Sequence, residues 1–205
     1  MDYATLASEA TITKTAENIT PRNFIPHVVA DRAAALTLIK ELIPQGASVQ
    51  TGTSRTLEEI GFIDYLKDGE HGWDNLKGTV ANEKDPATQT RLRKEATMSD
   101  FYLGSAHALT EDGEIYIASN TGSQLPNVVF NSPNVILVIG AQKIVPDRAH
   151  AFDRIEKHVV PLEDERMMQA MNAHTQWSKT FVFSKEPAFN QRQIHVVIVK
   201  EKLGF

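Results

Sequence analysis

The run Asn134–Gly140, NVILVIG, constrains the fold more than any other stretch of this chain. Four of its five central apolar residues are β-branched, and it is too short for a buried helix, so it reads as a strand. No polar residue alternates along it, so both of its faces must be covered. Strands of that kind belong to parallel sheets, whose crossover helices pack on either side.

The flanking patterns fit that architecture. Ala33, Leu36, Ile39 and Ile43 recur at helical spacing behind an Asp31 N-cap, and Pro44–Gly46 ends the helix. ASVQTG then reads as a short strand. RTLEEIGFIDYL reads as one helix with Leu57, Ile60, Ile63 and Leu66 on one face. A polar stretch over 67–86 is punctuated by Gly69, Gly72 and Gly78 and reads as loops, with Trp73 and Leu76 packing down. ATQTRLRKEATMS predicts a helix with Leu92 and Ala96 inward, DFYLG a strand, and EDGEIYIAS a turn entering a strand. Pro146 is predicted in the first turn of a helix carrying Ala149, Phe152, Ile155 and Val159, and a further helix over Glu163–Trp177. KTFVFS and QIHVVIVKE close the chain as strands. Residues 1–22 are polar and Thr-rich and fit either a short helix or an N-terminal arm. The expectation is one α/β domain over residues 1–205, with an open, largely parallel sheet flanked by helices.

Charge and composition narrow the partners. A net charge of -5 argues against nucleic acid and anionic membrane surfaces. Arg91, Arg93 and Lys94 sit among acidic residues and read as a solvated helix face. The absence of cysteine removes thiolate nucleophiles and cysteine ligation of an iron–sulfur cluster. The seven histidines show no HxH or HExxH spacing, and GxSxG, Walker A and GxGxxG signatures are missing. His195, inside a strand, reads as a satisfied core or edge histidine, and Met167, Met168 and Met171 read as packing. There is no basic-then-apolar leader and no apolar run of spanning length, so a cytoplasmic protein is expected.

Three glycine-containing loops follow strand ends, where open α/β sheets bind ligands. In TGTSRT, Gly52, Thr53, Ser54, Arg55 and Thr56 read either as a turn with a Thr56–Glu59 capping box or as a nest for a small anion. In GSAHALTEDGE, Gly104 borders a ligand loop and His107, Asp112 and Glu114 are candidate acid–base groups, Glu114 also a candidate nucleophile; Asp112–Gly113 equally reads as a tight turn. In SNTGSQLPN, Thr121, Gly122, Ser123 and Gln124 offer more small donors than a turn needs. Lys143, leaving the central strand, either pairs with an anionic ligand or lies in solvent. Leu125, Val128, Val129 and Phe130 form either a partner patch or a core helix.

Several strings taken in order, SVQTGTSRTLEEIGF, DFYLGSAHALTEDGEIYIAS, TGSQ, VILVIGAQKIVPDRAHAFDRI and RQIHVVIVKEKLGF, resemble the LUD (lactate-utilisation) domain of LutC/YkgG type from about residue 30 onward. The resemblance implies the NagB/RpiA/CoA-transferase-like fold, in which a Gly/Ser/Thr loop of TGTSRT character grips a substrate phosphate. It also implies a part in oxidising L-lactate to pyruvate beside iron–sulfur partner proteins. Some relatives carry a cysteine cluster where this chain reads ERMMQAMNAHTQWSKTFVFSKEPAFNQRQ, so redox chemistry falls to partners. The functions in view are an accessory or ligand-binding component, a free-standing enzyme acting on a phosphorylated or CoA-linked metabolite, and a structural partner whose pocket is vestigial. A homo-oligomer is left open.

Overall fold

The NVILVIG run forms the strand at the heart of a six-stranded sheet, and its alternation sets the layers. The computed structural model describes residues 2–205; Met1 lies outside them. In chain order the elements are α1 (Glu9–Ile19), β1 (Ile25–Val29), α2 (Arg32–Leu42), β2 (Ser48–Thr51), α3 (Arg55–Glu59), α4 (Phe62–Asp68), β3 (Asp74–Asn75), α5 (Leu76–Asn82) and α6 (Pro86–Glu95). They continue as β4 (Phe101–Gly104), β5 (Ala108–Thr110), β6 (Ile115–Ser119), β7 (Asn134–Gly140), β8 (Ile144–Val145), α7 (Arg148–Arg154), α8 (Val160–Met171), β9 (Lys179–Phe183) and β10 (Gln193–Val199). The large sheet runs β1-β10-β7-β4-β2-β3 and every pairing in it is parallel.

Side chains alternate across a strand, so β7 and β10 feed two cores. Val135, Leu137 and Ile139 with Ile194, Val196 and Ile198 pack toward α1 and a second sheet. Ile136, Val138, Val197 and Val199 pack toward α2, α3 and α4 through Ala35, Ile39, Leu57 and Phe62. The second sheet, β8-β5-β6-β9, is mostly antiparallel and presents its other face to α7 through Tyr116, Ala151 and Ile155.

The expected largely parallel α/β sheet is therefore present, with departures that have local causes. RTLEEIGFIDYL is two short helices, because Gly61 takes φ 78 between α3 and α4. The polar 67–86 stretch holds β3 and α5, and Trp73 is buried with its Nε1 donating to the Ile43 carbonyl at 3.2 Å. Asp147 caps α7, so Pro146 precedes the helix. One π-turn, Ile155–Val159, joins α7 to α8 where two separate helices were expected. Its wider turn lets the chain pass Pro161, which has no N–H to donate. KTFVFS forms β9 of the second sheet. Within 2–22, α1 is capped by Ser8 and buries Ile12, Thr15 and Ile19. Asn127–Asn131 is a single π-turn that buries Val128 and leaves Val129 and Phe130 exposed.

β1, unanticipated, sets His27 against His195 of β10, with Nε2 and Nδ1 3.0 Å apart. Burial pushes both pKa values down, that of His195 to about 4, with His27 adding repulsion. A folded-state value below the unfolded 6.5 means stability present above pH 6.5 and lost as pH falls toward 4. Urea unfolding at pH 7 and pH 5 should differ by about 1–2 kcal/mol from this pair; His195→Gln should shrink that difference.

Candidate functional site

The carboxyl ends of β2, β4 and β7 meet the end of β6 around a cavity of about 450 Å³. Gly52, Thr53, Ser54, Arg55 and Thr56 line it from β2; Gly104 and His107 line it from β4, and Lys143 from β7. Thr121, Ser123 and Gln124 line it from β6. These loops are remote in sequence, and parallel strand order brings them together.

Lys143 is the centre of the arrangement. It ends the short helical turn Ala141–Lys143 and is only 3% exposed. Its Nζ donates to Thr56 Oγ1 at 3.0 Å and Ser105 Oγ at 3.1 Å, and among the described residues it forms no salt bridge. Burial, helped by Arg154 and opposed by Glu59, pushes its pKa down to about 7. Arg154, at the end of α7, is fully buried; it donates to the His107 carbonyl and leaves Nε and Nη2 unpartnered. Burial lowers its pKa to about 10. Lys77 of α5 adds a half-buried cation, its Nζ 2.9 Å from the Gly52 carbonyl.

His107 is held well below the usual histidine range by burial, then by Lys143 and Arg154, and is neutral. Its Nδ1 accepts from the Ala118 N–H at 3.0 Å, which puts the ring proton on Nε2. Glu114 lies outside the cavity. The Asp112–Gly113 turn, with Gly113 at φ 96, sends it to the opposite end of the β5–β6 hairpin from His107. There it accepts from Tyr116, Ser184 and Arg148 at 2.6–3.1 Å; burial would raise its pKa, but these bonds outweigh it and hold it low. That corrects its candidacy as an acid–base group or nucleophile at this cavity, since its acceptor sites are taken and it is not part of the lining. Gly122 likewise stands behind the lining, its N–H donating to Ser119 Oγ at 2.9 Å.

The TGTSRT loop caps α3 through a serine. The capping residue is Ser54, whose Oγ accepts from the Leu57 N–H at 3.3 Å, so no Thr56–Glu59 capping box forms. α3 has only five residues, so its dipole adds little, and the positive charge of the site comes from side chains. Arg55 is turned to Glu58 at 2.7 Å. Glu59 accepts from the Gly204 N–H at 2.7 Å, and Gln142 brackets the Leu203 backbone, so 203–205 lace the Lys143 turn to α3. A Cβ on Gly204, at φ +62, would clash with Thr56 Oγ1. Gly204→Ala should therefore cost about 1–3 kcal/mol in denaturant unfolding and loosen the Thr56–Lys143 bond.

Helix α8 and the segment after it roof the cavity through Val160, Met167, Met171 and Trp177. No residue of α8 is fully buried: of the three methionines expected to pack, Met167 is half-buried, while Met168 and Met171 are exposed. Ser105, Ser119 and Tyr102 also line the site; they lay inside or beside strand strings and gave no separate signal. Burial raises the Tyr102 phenol pKa. Among the described residues no cluster of three or more His, Asp or Glu is arranged to hold a metal ion. No helix among them is long and apolar enough to cross a membrane.

The LUD domain family model matches residues 12–199. The fold also matches the crystal structure, at 1.70 Å, of a DUF162 family protein from Deinococcus radiodurans, with TM-score 0.58 and 12% identity over 94% of this chain and 99% of that one. At that identity the likeness speaks for the fold. No curated protein matches the chain. A parallel sheet of this order and a family match spanning nearly the whole sequence lead to one conclusion: the chain belongs to the LUD domain family.

Proposed function

We propose that the cavity binds an anionic metabolite, carboxylate or phosphate. The chain then serves as an accessory, ligand-binding component of lactate utilisation or related carboxylate metabolism, without a redox centre of its own. The observation that carries this reading is Lys143, a buried cation facing the cavity that bonds two hydroxyls and forms no salt bridge among the described residues, with Glu59 acting on it only from beyond ion-pair distance. An anion there supplies the missing counter-charge. Cavities of about 300–1,000 Å³ house drug-sized ligands, so at about 450 Å³ a small hydroxy acid leaves room for a second molecule or a larger body. The apolar roof of Met167, Met171 and Trp177 suits such a body. Electron transfer is assigned in this proposal to iron–sulfur partner proteins.

The second reading, a free-standing enzyme on a phosphorylated or CoA-linked metabolite, is favoured by one observation. Lys143 and neutral His107 face a common cavity with pKa values moved far from ordinary.

The test is a thermal-shift screen with lactate, pyruvate, sugar phosphates, nucleotides and acyl-CoAs. A ligand at about 100 times its dissociation constant adds about 2.7 kcal/mol. Thr56→Ala should weaken the shift, because Thr56 holds Lys143; Ser54→Ala should lower stability by about 1 kcal/mol as a lost cap and spare the shift. No shift with any compound, or a shift indifferent to Thr56→Ala, would sink the reading.

A further inference from the structure

We infer that Lys143 is a nucleophilic amine and that the cavity takes an oxo acid, whose carbonyl carbon Lys143 attacks to form a Schiff base. This rests on the reading of the cavity as an anion site and adds a reaction to it. A solvated lysine is a poor nucleophile near neutrality because its lone pair holds a proton. Lys143 is removed from solvent yet borders the cavity, and its partners are two hydroxyls, which tolerate the neutral amine as well as the ammonium. A carboxylate within 4.0 Å would have locked the amine in its charged form, and none forms a salt bridge with it. The charged or titratable groups near it are Arg154 from α7, His158 from the π-turn that follows, Glu59 from α3 and His107 beside β5, and the cavity wall adds Arg55, paired with Glu58, and Arg166, paired with Glu163; burial and Arg154 outweigh Glu59, and His107 stays neutral. A substantial neutral fraction at physiological pH follows.

The acid half of the ligand class comes from charge. Arg154 and Lys77 do not line the cavity but bond the carbonyls of its lining residues His107 and Gly52, and add positive charge to that of Lys143 from behind the wall. The carbonyl half comes from the amine, because a neutral primary amine condenses with an aldehyde or ketone without any co-reactant. The Nζ lone pair forms the C–N bond as the carbonyl π bond opens onto oxygen. The two amine hydrogens reach that oxygen, with the Thr56 and Ser105 hydroxyls at 3.0 and 3.1 Å from Nζ as relay. The oxygen departs as water and a C=N bond remains. Nothing is oxidised or reduced.

The test treats the full chain with pyruvate, glyoxylate or pyridoxal 5′-phosphate in the presence of borohydride, followed by intact mass and peptide mapping. Thermal shift with pyruvate and glyoxylate is read in parallel. The expected result is one reduced adduct per chain, on Lys143, lost in Lys143→Arg, with a rate that is highest near pH 7 and falls on either side, because the acid group binds best to the charged amine while attack needs the neutral one. A thermal shift with no adduct from any of the three overturns the inference and leaves the anion site standing. Neither shift nor adduct overturns both. Adducts scattered over surface lysines and unchanged in Lys143→Arg overturn the inference as well.

Discussion

Lys143→Met is expected to raise the stability of the protein while removing most of its affinity for an anionic ligand. The side chain is 3% exposed and its charge has no carboxylate partner. Replacing a buried charge by an apolar chain of similar volume is often stabilising by about 1–4 kcal/mol. The hydroxyls left behind bond each other, since Thr56 Oγ1 already lies 3.2 Å from Ser105 Oγ. The pH dependence carries the sign. A folded pKa of about 7 against 10.5 means that the wild type bears the full cost of the buried charge below pH 7 and recovers as pH rises toward 10.5. The stability advantage of the variant should therefore be largest at pH 6–7 and shrink above it, as read by thermal or urea unfolding. Affinity should fall by about 30-fold or more, since truncating one partner of a buried charge pair costs about 2 kcal/mol or more. A merely structural lysine would give the opposite outcome, with stability lost and binding untouched.

Arg154→Leu is the second large effect. The guanidinium is fully buried, with Nε and Nη2 unpartnered, and it is the main charge pushing the Lys143 pKa down. Its loss leaves the His107 carbonyl without that donor, a cost of about 1–3 kcal/mol, set against relief of an uncompensated buried charge. Net stability should change little. The clear readout is the pH profile of anion affinity, which requires Lys143 protonated and so falls as pH rises past about 7. In Arg154→Leu that fall should move to higher pH by about half a unit to one unit, with weaker affinity at its plateau. An unmoved profile would separate Arg154 from Lys143.

Much of the scaffold was legible because it is local. NVILVIG announces a doubly covered strand, and ASVQTG and DFYLG follow from strand length and turn residues. The second sheet was hidden because β5 has three residues and β8 two, too few for a period to register. The joining of α7 to α8 was hidden because Pro161 reads as a break, and only a π-turn carries the helix past it. For the site, hydroxyl and glycine density after strand ends marked the loops, and parallel topology brought them together. Whether Lys143 lies in solvent or in the wall was not readable, because what buries it is distant in sequence: Thr56, Ser105 and the 203–205 segment. Arg154 gave no signal, since an arginine in an amphipathic helix reads as solvated. Glu114 misled because a carboxylate directly after a turn looks the same whether the hairpin turns it toward the site or away.

The most direct measurement is proton uptake on binding. An anion beside Lys143 favours its charged form, so binding at about pH 8, above the free value of about 7, must draw in a proton. Titration calorimetry of the tightest-binding carboxylate, run in buffers of different ionisation heat, reads that uptake. The account predicts close to one proton taken up per anion by the wild type and none by Lys143→Met. Binding with no proton uptake, or with the same uptake in both proteins, would contradict it.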